Sequence, residues 1–290
     1  SQRKDRFVQQ LYPLRFQPIL KQALWGGRRL KTLLGKPIGH GDDYAESWEL
    51  VDHGDAQSVV EFGPLAGTTL HELVRTRGPE LLGRHHPLDR FPLLLKFLDA
   101  QKTLSVQVHP NDQQAARQSP PDAGKTEAWL VLATEPGSLI YAGLHAHVDR
   151  DTLRQSLEQG NCESLLHRFE PSVGDCIFIP AGTVHALGAG IVVAEIQQSS
   201  DTTFRLFDWN RVGPDGRPRP LHIDRALEVI DFERGPVTAR QPQPTGLPGR
   251  ESLVSCPHFR LDRVRLSESL PLGGEDRCHI VSVLAGTIRM

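Results

Sequence analysis

From residue 174 onward the chain is broken at short, regular intervals. Gly174-Asp175, Pro180-Ala181-Gly182 and Gly188-Ala189-Gly190 each stand before a brief apolar run. Glycine lets the backbone turn where a Cβ would clash, and proline presets φ for a bend. Runs this short leave no room for a helix and read as strands. Strands joined by such turns predict a mainly β chain, folded as a jelly roll or sandwich. The 22 prolines and 26 glycines, spread throughout, extend that expectation to the whole chain.

A second stretch says what the strands carry. Leu104-Ser105-Val106-Gln107-Val108-His109 alternates apolar and polar residues, the period of a half-buried strand. Leu104, Val106 and Val108 take one face; Ser105, Gln107 and His109 take the other. This is either an edge strand with a polar outer face or a strand that projects two metal ligands into a barrel mouth. Downstream, Gly174 to His185 has the spacing G-x5-P-x-G-x2-H. Its turn fixes where the His185 imidazole points, although such a turn has structural value without a metal. Lys125 and Glu127 also share a strand face, as a surface ion pair or as a ligand beside an ammonium. In the segment Glu195 to Asp208, Asp201, Thr203 and Arg205 face one way if the backbone is extended. Taken together, Gln107, His109, Glu127 and His185 offer two imidazoles, a carboxylate and an amide oxygen. Such a set suits zinc with a coordination position left open, and it also fits Fe(II) or Mn(II).

Other segments are more ordinary. Short strands and a turn are expected within residues 1–40, and a strand over Glu46–Val51. Thr69-Leu70-His71-Glu72 has capping-box spacing and starts a helix over 69–77, with Gly78 as its stop. Pro79–Pro87 reads as a second short helical or irregular piece. Phe91–Leu98 is a buried strand whose lone Lys96 must snorkel out or meet an anion. One or two helical turns fit Asn111–Gln118, and a strand fits Lys125–Leu132. Helices are expected over Asp149–Gln159, Asn161–Phe169 and His222–Phe232. Residues 234–250 form a Pro/Gly-rich linker between a main unit, 1–238 with helical insertions, and a C-terminal β segment, 250–290. That segment holds strands over Phe259–Leu266 and Cys278–Ile288. The chain stops where a hairpin should return, so a longer natural chain is expected.

Composition excludes several classes. A net charge of -2 argues against a general nucleic-acid binder and against an anionic membrane surface. No apolar run approaches the roughly 20 residues that span a bilayer. The charged run Gln2-Arg3-Lys4-Asp5-Arg6 has no apolar core behind it and does not look like a signal peptide. The four cysteines are dispersed, without a CxxC pair, which suits a reducing cytoplasm and supplies no thiolate zinc site.

Several motifs in order tie these features to a known family. They are Trp25-Gly26-Gly27, Glu46 to Leu50, Phe91 to Lys96, Leu104 to Asp112, Gly124 to Trp129, Pro180 to Ala186 and Ser200 to Arg205. With them the chain resembles the type I mannose-6-phosphate isomerases (phosphomannose isomerases) of the short bacterial form, within the cupin superfamily. The resemblance implies a cupin-type jelly-roll barrel with inserted helices, the C-terminal segment being part of a second cupin. It implies one zinc held by Gln107, His109, Glu127 and His185, another divalent ion being the alternative. Arg205 becomes the active-site arginine, with Lys125, Asp201 or Glu195 as proton carriers. Ser105, Lys96 and Arg211 would hold the phosphate of a small sugar phosphate. The implied activity interconverts mannose 6-phosphate and fructose 6-phosphate through an enediol. The alternatives are another cupin metalloenzyme or a non-catalytic sugar-phosphate-binding cupin. Two departures stand out: Gln107-Val-His109 replaces the usual cupin HxH, with the glutamate displaced to Glu127, and Ala189 stands where many cupins have asparagine.

Overall fold

A computed structural model describes residues 11–213 and 215–290; the charged run Gln2–Arg6 lies outside the described residues. Two antiparallel sheets form the body. The larger has six strands, in spatial order Ile19–Gly27, Tyr44–Leu50, Leu93–Ala100, Ile191–Gln198, Glu127–Thr134 and Cys176–Ile179. The smaller has five, in the order Phe204–Phe207, Val106–Val108, His185–Leu187, Ile140–Leu144 and Leu166–Phe169. Apart from the first two strands of the larger sheet and the last two of the smaller, neighbours are not consecutive in the chain, as a jelly-roll architecture requires.

The sheets pack face to face. Trp129, Val131, Ile177 and Val193 of the larger meet Ile140, Ala142 and Leu187 of the smaller. Each fully buried valine, isoleucine or leucine among them contributes on the order of 2 kcal/mol. The outer face of the smaller sheet presents Val106, Val108, Phe204 and Leu206. It is covered by Leu153 and Leu157 from the helix Arg150–Glu158 and by Ala226 and Leu227 from the helix Ile223–Val229. Val106 and Val108 therefore face helices, which leaves Gln107 to face the space between the sheets. The strand that carries them is flanked on both sides, so it is not an edge strand.

The outer face of the larger sheet presents Ala128, Leu130 and Ile196 to Leu253, Val254 and Phe259. Leu253 and Val254 come from a small C-terminal sheet of Gln243–Pro244, Arg250–Ser255 and Arg260–Val264, and Phe259 from the turn between its last two strands. The Pro/Gly-rich segment before it lies along the barrel: Val237 N–H donates to Ala142 O, and Arg240 N–H to Cys176 O.

Three elements differ from expectation. The helix begun by the Thr69–Glu72 capping box does not stop at Gly78 but runs Leu70–Leu82, kinked at Arg77. Pro79 has no N–H to bond back to the Arg75 carbonyl and its ring crowds that turn, yet it suits the first turn of a new segment, so the helix bends and restarts. Asn161–Phe169 is not a helix but one 3-10 turn, Glu163–Leu165, followed by the strand Leu166–Phe169. Pairing with Ile140–Leu144 decides it, because that strand otherwise has a bare edge. Cys278–Ile288 contains no strand, and most of its side chains are exposed with no partner strand among the described residues.

Candidate metal centre

The site sits at one end of the barrel, where three strands begin or finish. His185 opens the strand His185–Leu187, directly after the turn Pro180-Ala181-Gly182. Gly182 has φ +85°, a conformation L side chains rarely adopt, and the Val229 carbonyl lies 3.1 Å from where its Cβ would stand. The Gly182 N–H donates to the His109 carbonyl at 2.8 Å, so the turn before one histidine is tied to the backbone of the other. Gln107 stands opposite His185 on one side and Arg205 on the other, which puts the three side chains in a row on one face. Glu127 opens its own strand in the facing sheet.

These groups converge. The donor atoms of His109, Glu127 and His185 all lie within 4.8 Å of one another, and all three side chains are buried. His185 Nε2 is 3.2 Å from Glu127 Oε1, and His109 Nε2 is 3.5 Å from Glu127 Oε2. Each imidazole turns its other nitrogen to a backbone carbonyl: His109 Nδ1 is 3.0 Å from Thr202 O, and His185 Nδ1 is 2.8 Å from Thr183 O. A carbonyl only accepts, so Nδ1 carries the proton and the Nε2 lone pair faces the cluster. Burial, then the charge of Lys125, drives His109 well below its ordinary value, keeping that lone pair free. Burial alone would raise the Glu127 carboxyl, but the Lys125 ammonium overcomes it and holds the carboxyl well below the usual carboxylate range.

Neither oxygen of Glu127 receives a hydrogen bond of good geometry from the described residues. A buried carboxylate left so is costly unless a cation meets it. Positive charge already rests there: Lys125 Nζ is 2.9 Å from Glu127 Oε2 and 3.0 Å from His109 Nε2. The Gln107 amide approaches His185 Nε2 at 3.4 Å, and a half-turn of its last torsion brings Oε1 to the same place. Two imidazoles, a carboxylate and an amide, each imidazole braced by a carbonyl, fit a divalent ion.

A buried charge network adjoins the cluster. Lys96 Nζ stands 3.2 Å from Glu46 Oε2 and 3.3 Å from Glu195 Oε1. Trp48 Nε1–H donates to Glu46, and Trp129 Nε1–H donates to Glu195 at 2.9 Å. The Trp129 ring meets the His185 ring edge-on at 5.4 Å. Burial would lower the Lys96 ammonium, but Glu195 and Glu46 hold it strongly charged. Burial and the nearby Glu127 charge push Glu195 up, whereas Lys96 and Trp48 overcome burial and hold Glu46 down.

A cationic patch closes the other side. Arg205 Nε donates to Ser105 Oγ at 3.3 Å. Asp208 accepts from Arg211 and, at 2.7 Å twice, from Arg219. Burial and then Arg219 depress the Arg205 guanidinium. Of the residues expected from sequence, Gln107, His109, Glu127, His185 and Lys125 thus come together, and Arg205 and Ser105 touch in the adjoining row. Glu195 and Lys96 belong to the buried network; Arg211 is tied to Asp208 and to Thr103 O. Asp201 is exposed on the segment before Phe204. Glu46, Asp122 and Arg219 were missed, since each earns its place only through partners far away in the chain.

Comparison with known proteins agrees with this geometry. Residues 13–136 match the family described as phosphomannose isomerase type I, catalytic domain. Mannose-6-phosphate isomerase ManA of Bacillus subtilis is 37% identical over 284 residues, covering 96% of this chain and 87% of that protein. The chain belongs to the type I phosphomannose isomerase family. A second phosphomannose isomerase, from Streptococcus mutans, is 38% identical over 280 residues, covering 96% of this chain and 86% of that one. The crystal structure of mannose 6-phosphate isomerase from Bacillus subtilis superposes with a TM-score of 0.79 at 31% identity. It covers 86% of this chain and 79% of that one. The match to the Bacillus subtilis enzyme identifies the two-sheet barrel described above as a cupin-type fold.

Proposed function

We propose that the chain is a metal-dependent aldose–ketose isomerase that interconverts mannose 6-phosphate and fructose 6-phosphate, with zinc as its ion. The observation that carries this is the meeting of two buried imidazoles and an ionised, hydrogen-bond-poor carboxylate beside a surplus of guanidinium charge. An ion held by His109, Glu127, His185 and the Gln107 amide oxygen would supply Lewis-acid polarisation of a sugar carbonyl. The remaining work falls to the chain's own groups. Moving a proton between C1 and C2 creates oxyanion charge, and Arg205, permanently charged and in the row of Gln107 and His185, is suited to stabilise it. Glu195, pushed up by burial, holds a proton closer to neutrality than an ordinary carboxyl and joins Lys125 and Asp201 as a proton carrier. Arg211 and Arg219 share one carboxylate, Asp208, while Arg205 donates to Ser105 and to the Pro220 carbonyl, and this surplus of positive charge with the Ser105 hydroxyl favours a phosphate dianion. Lys96 is neutralised by two carboxylates and supports that network instead. No helix among the described residues is long and apolar enough to cross a membrane, and a cytoplasmic location is part of the proposal. The test pairs metal analysis with an assay of fructose 6-phosphate formation. One zinc per chain is expected, with turnover lost in His185→Ala together with the metal; full activity after complete metal removal refutes the scheme.

A further inference from the structure

Asp122 lies on the loop before Glu127 and belongs to no helix or strand. Its carboxylate nevertheless gathers donors from across the molecule. Oδ1 accepts from His53 Nε2 at 3.1 Å, Arg90 Nη2 at 3.2 Å and Ala123 N at 2.8 Å. Oδ2 accepts from Ser200 Oγ at 3.0 Å and Thr202 Oγ1 at 2.9 Å, with Asp201 N at 3.4 Å. The side chain is only 12% exposed. Ser200 Oγ in turn accepts from Thr202 N–H at 3.2 Å. The segment that Asp122 clasps has no backbone ladder of its own, so side-chain bonds must shape it. Its Thr202 carbonyl is the group that accepts from His109 Nδ1.

We propose that Asp122 is a positioning residue for the metal centre: by holding Ser200 and Thr202 it sets the carbonyl that orients the His109 imidazole. This rests on the metal-centre assignment above and extends it one layer outward. Burial by itself would raise the Asp122 carboxyl; the bonds from His53, Ala123, Thr202 and Ser200 overcome it and keep the group ionised, in the acceptor-only form the clasp needs. Partners behind a ligating histidine typically change metal affinity by about ten- to a hundredfold when removed.

The test measures zinc dissociation constants by competition with a chromophoric chelator, with circular dichroism to verify folding. Asp122→Ala is expected to weaken zinc binding by about tenfold or more, Asp122→Asn less, and Thr202→Val, which keeps the carbonyl but loses the hydroxyl, by several-fold. Because both act through one carbonyl, adding Thr202→Val to Asp122→Ala should change little further. Wild-type affinity in a folded Asp122→Ala overturns the proposal, as do fully multiplicative effects in the double variant. Should Asp122→Ala fail to fold, wild-type affinity in both Asp122→Asn and Thr202→Val overturns it equally. The wild-type chain separates the two claims: no zinc on it refutes the metal centre itself, whereas unchanged zinc on the variants refutes only the role of Asp122.

Discussion

Lys96→Met keeps the length of the side chain and deletes its ammonium. Glu46 and Glu195, which it joins at 3.2 and 3.3 Å, are then left facing each other in a buried space. Each contact is worth roughly 5 kcal/mol of gross Coulomb attraction at an effective dielectric of about 20, most of it offset by desolvation. A buried carboxylate without its cation does not stay charged; it binds a proton. Protonation therefore caps the penalty at about 1.36 kcal/mol for each pH unit above the ordinary carboxyl value of 4.5. That is about 3.4 kcal/mol at pH 7 and about 0.7 kcal/mol at pH 5. Both figures are for one carboxylate; Glu195 is already raised in the wild type, so for it they are upper values, whereas Glu46 is held down there and loses more. The sign follows from a folded-state value above the unfolded one: the contribution is complete below the unfolded value and is lost as pH rises through the folded one. Urea unfolding followed by tryptophan fluorescence, at pH 5 and pH 7 on both proteins, should show the variant's deficit growing with pH. An equal deficit at both pH values, or none, refutes the reasoning. The Michaelis constant for mannose 6-phosphate should change less than about threefold, because the ammonium faces carboxylates rather than open space. A tenfold rise with unaltered stability would assign Lys96 to the phosphate instead.

Trp129→Phe removes the N–H that Glu195 Oε2 accepts at 2.9 Å and should destabilise the fold by about 1–3 kcal/mol, read from the urea midpoint. Arg219→Gln deletes a charge from the patch around Asp208; steady-state kinetics should show the Michaelis constant rise by about tenfold with kcat nearly unchanged. An unchanged constant would leave Arg219 as a structural partner of Asp208 alone. The Cys162 and Cys176 thiols are pushed up to about 12 by burial, so both should resist iodoacetamide at pH 8 in the native protein and react once it is unfolded.

Much of the centre was legible because its ligands sit on short strands beside turn residues. Alternation from Leu104 to His109 put Gln107 and His109 on one face, and the turn before His185 needed Gly182 where φ is positive. What alternation could not say is which layer each face meets; the helices Arg150–Glu158 and Ile223–Val229 decide that Val106 and Val108 point outward. Asn161–Phe169 escaped because Leu165, Leu166 and Phe169 fit a helix stripe as well as a strand, and only the free edge of Ile140–Leu144 chooses between them. The apolar pattern of Cys278–Ile288 looked like a strand, but pattern cannot provide a neighbour. Asp122, Glu46 and Arg219 were invisible for a related cause. An aspartate is remarkable only when His53, Arg90, Ser200 and Thr202 surround it, and those residues approach one another only in the folded chain.

The tie from Gly182 to the His109 carbonyl links a donor that follows one strand of the smaller sheet to a donor that opens its neighbour, while the carboxylate opposing them comes from the other sheet. No half of the barrel owns enough of the coordination sphere to capture an ion tightly. Loading should therefore lag behind closure of the two sheets, and a chelator-resistant ion would report a completed barrel rather than a collapsed intermediate.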